Sequence, residues 1–130
     1  MDINSNLNLT GKKLLIVEDN FISAQLFKSI LEDTGIEIFF ALTTSAAIEM
    51  VRKNIKFDIV LLDLQLPDMN GLEAAKVIKT KNPFTPIIVQ TAFAYDSYRA
   101  KSKEVGCEYF ITKPINQDEL LELFAKIFKK

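Results

Sequence analysis

Five polar residues of this chain stand at the ends of four short, largely apolar runs, which predicts that they lie where a buried strand gives way to a loop. The carboxyl ends of parallel strands open onto one edge of a sheet, where ligands and chemistry collect. The side chains expected at that edge are three carboxylates, one hydroxyl and one ammonium group: Glu18, Asp19, Asp63, Thr91 and Lys113. Their types and spacing therefore predict a single polar site.

The chemistry of such a site follows from its charges. Carboxylates held close together raise one another's pKa, and a hard divalent cation relieves their repulsion. Oxygen ligands suit Mg²⁺ or Mn²⁺, and Mg²⁺ commonly bridges carboxylate to phosphate. Lys113 offers a point charge to a phosphoryl group, and Thr91 offers a hydroxyl group. The small side chain of Ala92 leaves space for the phosphoryl group. Asp63 is then a candidate nucleophile toward phosphorus, forming an acyl phosphate.

Composition limits the alternatives. The chain has 130 residues, 48% of them hydrophobic and 25% charged, as in one soluble globular domain. The net charge of −1 implies no strong attraction to nucleic acid or anionic lipid. There is no histidine, which excludes a Ser-His or Cys-His nucleophile pair. The single cysteine, Cys107, excludes an internal disulfide, and we expect a small packed thiol there rather than a redox site.

Apolar periodicity predicts five strands, each followed by a helix. The strands are expected over residues 13–17, 36–41, 57–63, 86–90 and 108–112. The helices are expected over residues 22–35, 46–53, 70–81, 95–105 and 116–128, with Thr43 or Thr44 capping the second and Asn116 capping the last. Strict alternation of this kind predicts a parallel sheet with helices on both faces. Residues 1–11 are polar and are expected to form a flexible leader, which leaves residues 12–130 as the single domain.

The motifs at the strand ends carry a resemblance to a known family. They are V-E-D-N after the first strand, L-L-D-L-Q-L-P-D-M-N-G after the third, T-A after the fourth and K-P after the fifth. In this order and spacing they resemble the receiver domain of two-component response regulators and hybrid sensor kinases. The resemblance covers residues 12–130 and implies a flavodoxin-like (βα)5 fold with strand order 2-1-3-4-5.

The resemblance also implies roles for individual residues. It implies that Asp63 accepts a phosphoryl group from a phosphohistidine on a histidine kinase or a histidine phosphotransfer protein. Asp19, Asp63 and the backbone carbonyl of Gln65 would bind Mg²⁺, with Glu18 reaching the metal through water. Thr91, Ala92 and Lys113 would contact the phosphoryl group, and the Lys113–Pro114 peptide bond would be cis.

The same resemblance implies a conformational switch and a surface that reports it. Phosphorylation would draw Thr91 inward and leave room for Phe110, which stands where the family more often has tyrosine. Phe110 keeps the ring and lacks the hydroxyl group. Gln65 and Phe93 occupy positions that tune dephosphorylation in the family. The face formed by the fourth helix, fifth strand and fifth helix would serve for homodimerisation or target docking.

Three other functions compete with this interpretation. A phosphatase with an aspartyl nucleophile would need a second acid two residues after Asp63, where this chain has Gln65. A receiver-fold adaptor would bind partners without being phosphorylated. A flavin-binding module would need a loop rich in Ser, Thr and Gly where Glu18 and Asp19 stand. The phospho-accepting receiver, a cytoplasmic signalling switch that is not an enzyme, is the function that we expect.

Overall fold

The computed structural model describes residues 7–64, 71–92 and 96–129, without the side chains of residues 96–98. In these ranges five strands and five α-helices alternate along the chain. The strands are β1 (Lys13–Val17), β2 (Glu37–Ala41), β3 (Ile59–Asp63), β4 (Ile87–Thr91) and β5 (Tyr109–Thr112). The helices are α1 (Phe21–Leu31), α2 (Thr44–Arg52), α3 (Gly71–Lys81), α4 (Asp96–Glu104) and α5 (Gln117–Phe128).

All four strand pairings are parallel, and the strand order is β2-β1-β3-β4-β5. This order confirms the predicted doubly wound sheet. β3 lies at its centre and is buried along its whole length, as is β4. Because parallel strands that are covered on both faces are apolar throughout, the sequence shows these two as runs without alternation.

Two apolar layers cover the sheet. Alternate residues of β3 pack on opposite sides, with Val60 and Leu62 in one cluster and Ile59 and Leu61 in the other. The first layer is filled by α2 and α3, and the second by α1 and α5. Asp63 continues the phase of Ile59 and Leu61, so its side chain belongs to the α1 and α5 side of the sheet.

The helix ends follow the expected local chemistry. The hydroxyl of Thr43, rather than that of Thr44, accepts from the backbone N–H of Ala46 at 3.0 Å. The side chain of Asn116 accepts from the N–H of Glu119 at 2.9 Å. After α1 the chain makes one 3-10 turn over Glu32–Thr34 and stops at Gly35, whose φ of 81° is left-handed and favours glycine.

Two apolar residues of α1 face away from the core. Phe27, Ile30 and Leu31 are buried, whereas Ile22 is 78% exposed and Leu26 is 45% exposed. Ile22 stands two residues before the buried Ala24, which places it about 200° around the helix. The helical spacing of apolar residues therefore does not by itself give the width of the buried stripe.

The end of the predicted N-terminal leader packs on the domain. Leu9 is 3% exposed and belongs to the α1 and α5 layer, where Leu7 also packs. The backbone N–H of Leu9 donates to the carbonyl of Thr34. Residues 1–6 lie outside the described ranges, so flexibility of the leader stays a prediction for that part. Among the described residues, no helix is both long and apolar enough to cross a membrane.

Candidate functional site

The carboxyl ends of β1 and β3 bring three acids together. Glu18, Asp19 and Asp63 each offer a carboxylate oxygen, and these oxygens all lie within 4.8 Å of one another. Glu18 and Asp63 are buried and Asp19 is exposed. The cluster therefore has a buried floor and one solvent-facing ligand, an arrangement that suits a cation which keeps part of its water shell.

Lys113 supplies the opposing charge from the end of β5. Its Nζ atom lies 3.0 Å from Oδ2 of Asp63 and 3.5 Å from Oε1 of Glu18. Burial lowers the pKa of Lys113, but the hydrogen bond and charge of Asp63 together with the charge of Glu18 outweigh it, and the pKa lies above its usual value. Lys113 is therefore a permanent cation at neutral pH. The Lys113–Pro114 peptide bond is cis, as predicted.

The carboxylate of Glu18 is held from several sides. Its Oε2 atom accepts from the backbone N–H of Asn20 at 3.2 Å, and its Oε1 atom accepts from the side-chain amide of Gln90 at 2.9 Å. Burial raises the pKa of Glu18, and the charge of Asp63 raises it further, against these hydrogen bonds and Lys113. Since two buried acids confront one ammonium group, the donor set fits a divalent cation.

Thr91 and Ala92 complete the edge from the end of β4. Thr91 is fully buried, and its backbone carbonyl accepts from the N–H of Lys113 at 2.9 Å, which ties the ends of β4 and β5 together. Ala92 is exposed beside it. β4 spans Ile87–Thr91, so both of its ends lie one residue later than predicted. The carbonyl of Pro86, just before the strand, accepts from the backbone N–H of Val60.

Phe110 is half-buried on β5 and packs against the α2 and α3 layer. The guanidinium group of Arg99 lies over its ring, with Cζ 4.3 Å from the ring centroid. The predicted roles of Gln65 and Phe93 fall on residues outside the described ranges. The structure thus brings together Glu18, Asp19, Asp63 and Lys113, with Thr91 and Ala92 at the same edge.

Two residues of this neighbourhood have no counterpart in the motifs of the sequence. Gln90 is a polar residue inside a fully buried strand, and that anomaly in I-I-V-Q-T was a signal that it has a partner. Arg99 lies in a helix of low hydrophobicity, so its sequence context gives no such signal.

Comparison with known proteins agrees with this geometry. Residues 14–125 match the family model of the response regulator receiver domain. The chain belongs to the response regulator receiver family.

Relatives of this receiver domain include the polar-differentiation response regulator DivK of Brucella anthropi. The two are 34% identical over 113 residues, which cover 85% of this chain and 91% of the relative. A solved two-component response regulator from Clostridium difficile superposes with a TM-score of 0.86 at 26% identity, covering 92% of this chain and 97% of that one.

A CheY-like receiver domain protein from Methanospirillum hungatei superposes with a TM-score of 0.83 at 31% identity. That superposition covers 88% of this chain and 91% of the other. These likenesses identify the protein as a receiver domain of two-component phosphorelay signalling, a signalling module rather than a conventional enzyme.

Proposed function

We propose that Asp63 is the phosphoryl acceptor of this receiver domain and that the reaction requires Mg²⁺ or Mn²⁺. The observation that carries the proposal is the cluster of Glu18, Asp19 and Asp63 oxygens within 4.8 Å, faced by Lys113 Nζ at 3.0 Å from Asp63. A carboxylate beside a cation site and a fixed ammonium group has what nucleophilic attack on phosphorus needs.

The proposed step begins with a phosphohistidine on a histidine kinase or histidine phosphotransfer protein. A carboxylate oxygen of Asp63 forms a bond to phosphorus, and the bond between phosphorus and the donor's imidazole nitrogen breaks. The electron pair of that bond stays on the imidazole, which takes up a proton. Lys113 holds a phosphoryl oxygen during transfer, and Thr91 receives another in the product.

Glu18, Asp19 and Asp63, with the backbone carbonyl of Gln65, are the groups proposed to hold the metal. When bound, the metal neutralises the charge that builds up on the phosphoryl oxygens. Slow hydrolysis of the acyl phosphate would return Asp63 to its free form. Phosphorylation would also draw Thr91 inward and let Phe110 follow, which changes the surface around α4.

The proposed test uses acetyl phosphate as a small phosphodonor. With MgCl₂, the intact protein should gain the mass of one phosphoryl group, and peptide mapping after borohydride reduction should place it at Asp63. Asp63→Asn should gain none, and EDTA should abolish the gain in the native protein. An unmodified native protein, or an equal gain in Asp63→Asn, would contradict the proposal.

The surface next to the site indicates where a protein phosphodonor would bind. Phe21 and Ile22 open α1 directly after the acids and are 73% and 78% exposed, and Leu42, at the end of β2, is 59% exposed. Exposed large apolar side chains beside a polar site are typical of interaction surfaces. We propose that the phosphohistidine protein covers this rim, defined as Phe21, Ile22 and Leu42, because its imidazole must come within bonding distance of Asp63.

The face of α4, β5 and α5 remains the proposed site for homodimerisation or for a downstream target. A groove on this face is lined by Arg99, Phe110 and Leu123 among others. Because the proposed switch residue is part of its wall, a partner bound there would sense the position of Phe110. The cytoplasmic location of the protein stays a prediction.

A further inference from the structure

Gln90 is buried in the floor of the acid cluster. It is 0% exposed and stands on β4 in register with Asp63 on β3. Its position continues the phase of Ile88, so its side chain shares the α1 and α5 side of the sheet with Asp63. A polar amide in this place needs hydrogen-bond partners that the surrounding aliphatic side chains cannot give.

The partner that Gln90 does have lies two strands away. β3 separates β4 from β1, yet Nε2 of Gln90 reaches Oε1 of Glu18 at 2.9 Å. Adjacent strands are about 4.8 Å apart, so the two side chains together span about 9.6 Å beneath the acceptor strand's end. The hydrogen bond therefore connects two strands that do not pair, and it holds the Glu18 oxygen that Asn20 does not.

The other end of the same amide has no partner within the described part of the chain. Oε1 of Gln90 is buried and accepts no hydrogen bond there. Rotating the amide by 180° would point Oε1 at a carboxylate oxygen of Glu18, and two acceptors would then face each other. The ionised Glu18 therefore determines the orientation of the amide. An unsatisfied buried acceptor lowers the stability of the fold. A residue that carries such a cost is expected to act on a neighbouring group, here Glu18.

We propose that Gln90 is a positioning residue that orients the Glu18 carboxylate toward the cation site, so that divalent-cation affinity depends on an amide at position 90. The inference rests on the proposed function, since it takes Glu18 to serve the metal. Partners that orient metal-binding carboxylates commonly change metal affinity by about 10-fold to 100-fold when they are removed.

The test compares Gln90→Met with the native protein. Methionine has the length of glutamine without the amide, and Gln90→Leu is the second variant should the first not fold. Ile88→Met is the matched control, because Ile88 is equally buried on the same strand and face, two residues earlier. Mg²⁺ binding is followed without phosphodonor, from the shifts of the Asp19 and Asp63 amide signals in NMR spectra.

The Kd for Mg²⁺ should rise about tenfold in Gln90→Met and stay unchanged in Ile88→Met. Thermal stability in EDTA should change little in Gln90→Met, because the lost hydrogen bond to Glu18 is offset in part by removal of the unsatisfied Oε1 atom. If Gln90 had only a structural role, its loss would not weaken Mg²⁺ binding in a protein of unchanged stability. An unchanged Kd in folded Gln90→Met or Gln90→Leu overturns the inference.

A double variant tests whether Gln90 acts through Glu18. In a Glu18→Gln background, Gln90→Met should have little further effect on the Kd for Mg²⁺; a full additional loss would contradict the proposed route. Phosphorylation by acetyl phosphate is measured on the same samples. Native protein that binds Mg²⁺ but is not modified at Asp63 refutes the proposed function alone, whereas modified protein with a Kd insensitive to position 90 refutes only this inference.

Discussion

Lys113 donates a hydrogen bond from Nζ to Oδ2 of Asp63 at 3.0 Å, so the proposed nucleophile is already paired with the ammonium group that would bind a phosphoryl oxygen. The contact joins the ends of β5 and β3, which are separated by β4 in the sheet. One ammonium group thus holds the acceptor before transfer and is placed to hold the product afterwards.

Replacing Lys113 by methionine should separate metal binding from phosphoryl transfer. The rate of phosphorylation by acetyl phosphate should fall about 100-fold, as expected when a fixed transition-state donor is removed. Affinity for Mg²⁺ should rise, because the ammonium group no longer competes for the oxygens of Asp63 and Glu18. Stopped reactions analysed by intact mass and an NMR titration with MgCl₂ measure the two effects. Weaker Mg²⁺ binding in Lys113→Met would show that the ammonium group does not oppose the metal.

Replacing Arg99 should change the balance of the proposed switch. The guanidinium group lies 4.3 Å from the Phe110 ring centroid, and such a contact at an exposed site is worth about 0.5–1 kcal/mol. Arg99→Met should release the ring and raise the rate of phosphorylation by acetyl phosphate about 2-fold to 5-fold, the rate equivalent of that energy. Arg99→Lys, which keeps a cation, should lie nearer the native rate. A slower reaction in Arg99→Met would mean that the contact belongs to the phosphorylated conformation.

Serine at Phe21 and Ile22 should impair transfer from a protein donor and spare transfer from a small one. Two apolar side chains lost from an interface should slow transfer from a phosphorylated histidine phosphotransfer protein by about tenfold or more. Acetyl phosphate needs no such surface and should react at the native rate. Phe84→Ser is the control, since Phe84 is 92% exposed and precedes β4 at the opposite edge of the sheet. Equal loss with both donors would indicate damage to the site itself.

Replacing Gly71 by alanine should destabilise the domain, because the added methyl group would push against the backbone at the end of β3. A methyl group there would overlap the carbonyl oxygen of Asp63 and lie 3.2 Å from Cα of Leu64. Moving backbone to relieve this overlap should cost about 1–3 kcal/mol of unfolding free energy, as for other overpacked sites. Urea unfolding measures the loss. Gly11→Ala is a useful comparison, because nothing lies within 4 Å of the added carbon there and only its positive φ is strained.

Cys107 should be inert to thiol reagents in the native state. It is 2% exposed, and burial raises the pKa of its thiol from 9.0 to about 11. Reaction with iodoacetamide at pH 8 should therefore require unfolding in urea. The folded state binds this proton more tightly than the unfolded state, so the thiol's contribution to stability is complete below pH 9 and is lost as pH rises toward 11. Cys107→Ala should show a weaker alkaline loss of stability, and fast native labelling at pH 8 would refute the expectation.

The main elements and the acid cluster were predictable because a buried parallel strand has a continuous apolar sequence. Each such run ends at residues of the site. Asp63 and Lys113 could be placed at one edge from the sequence, since strand ends determine where they lie. The length and type of each contact were not predictable. Whether Gln90 reaches Glu18 across β3 depends on strand order and side-chain phase together, and the exposure of Ile22 depends on the rotation of α1 about its axis.

The close packing at Gly71 restricts how the end of β3 can move. The N-terminus of α3 rests against the backbone of Asp63 and Leu64, and the N–H of Gly71 donates to the carbonyl of Leu64 at 3.2 Å. This close backbone packing leaves little space for the strand of Asp63 to shift toward α3. We therefore expect a change at Asp63 to be accommodated on the opposite side, toward β4 and β5, rather than by movement of α3.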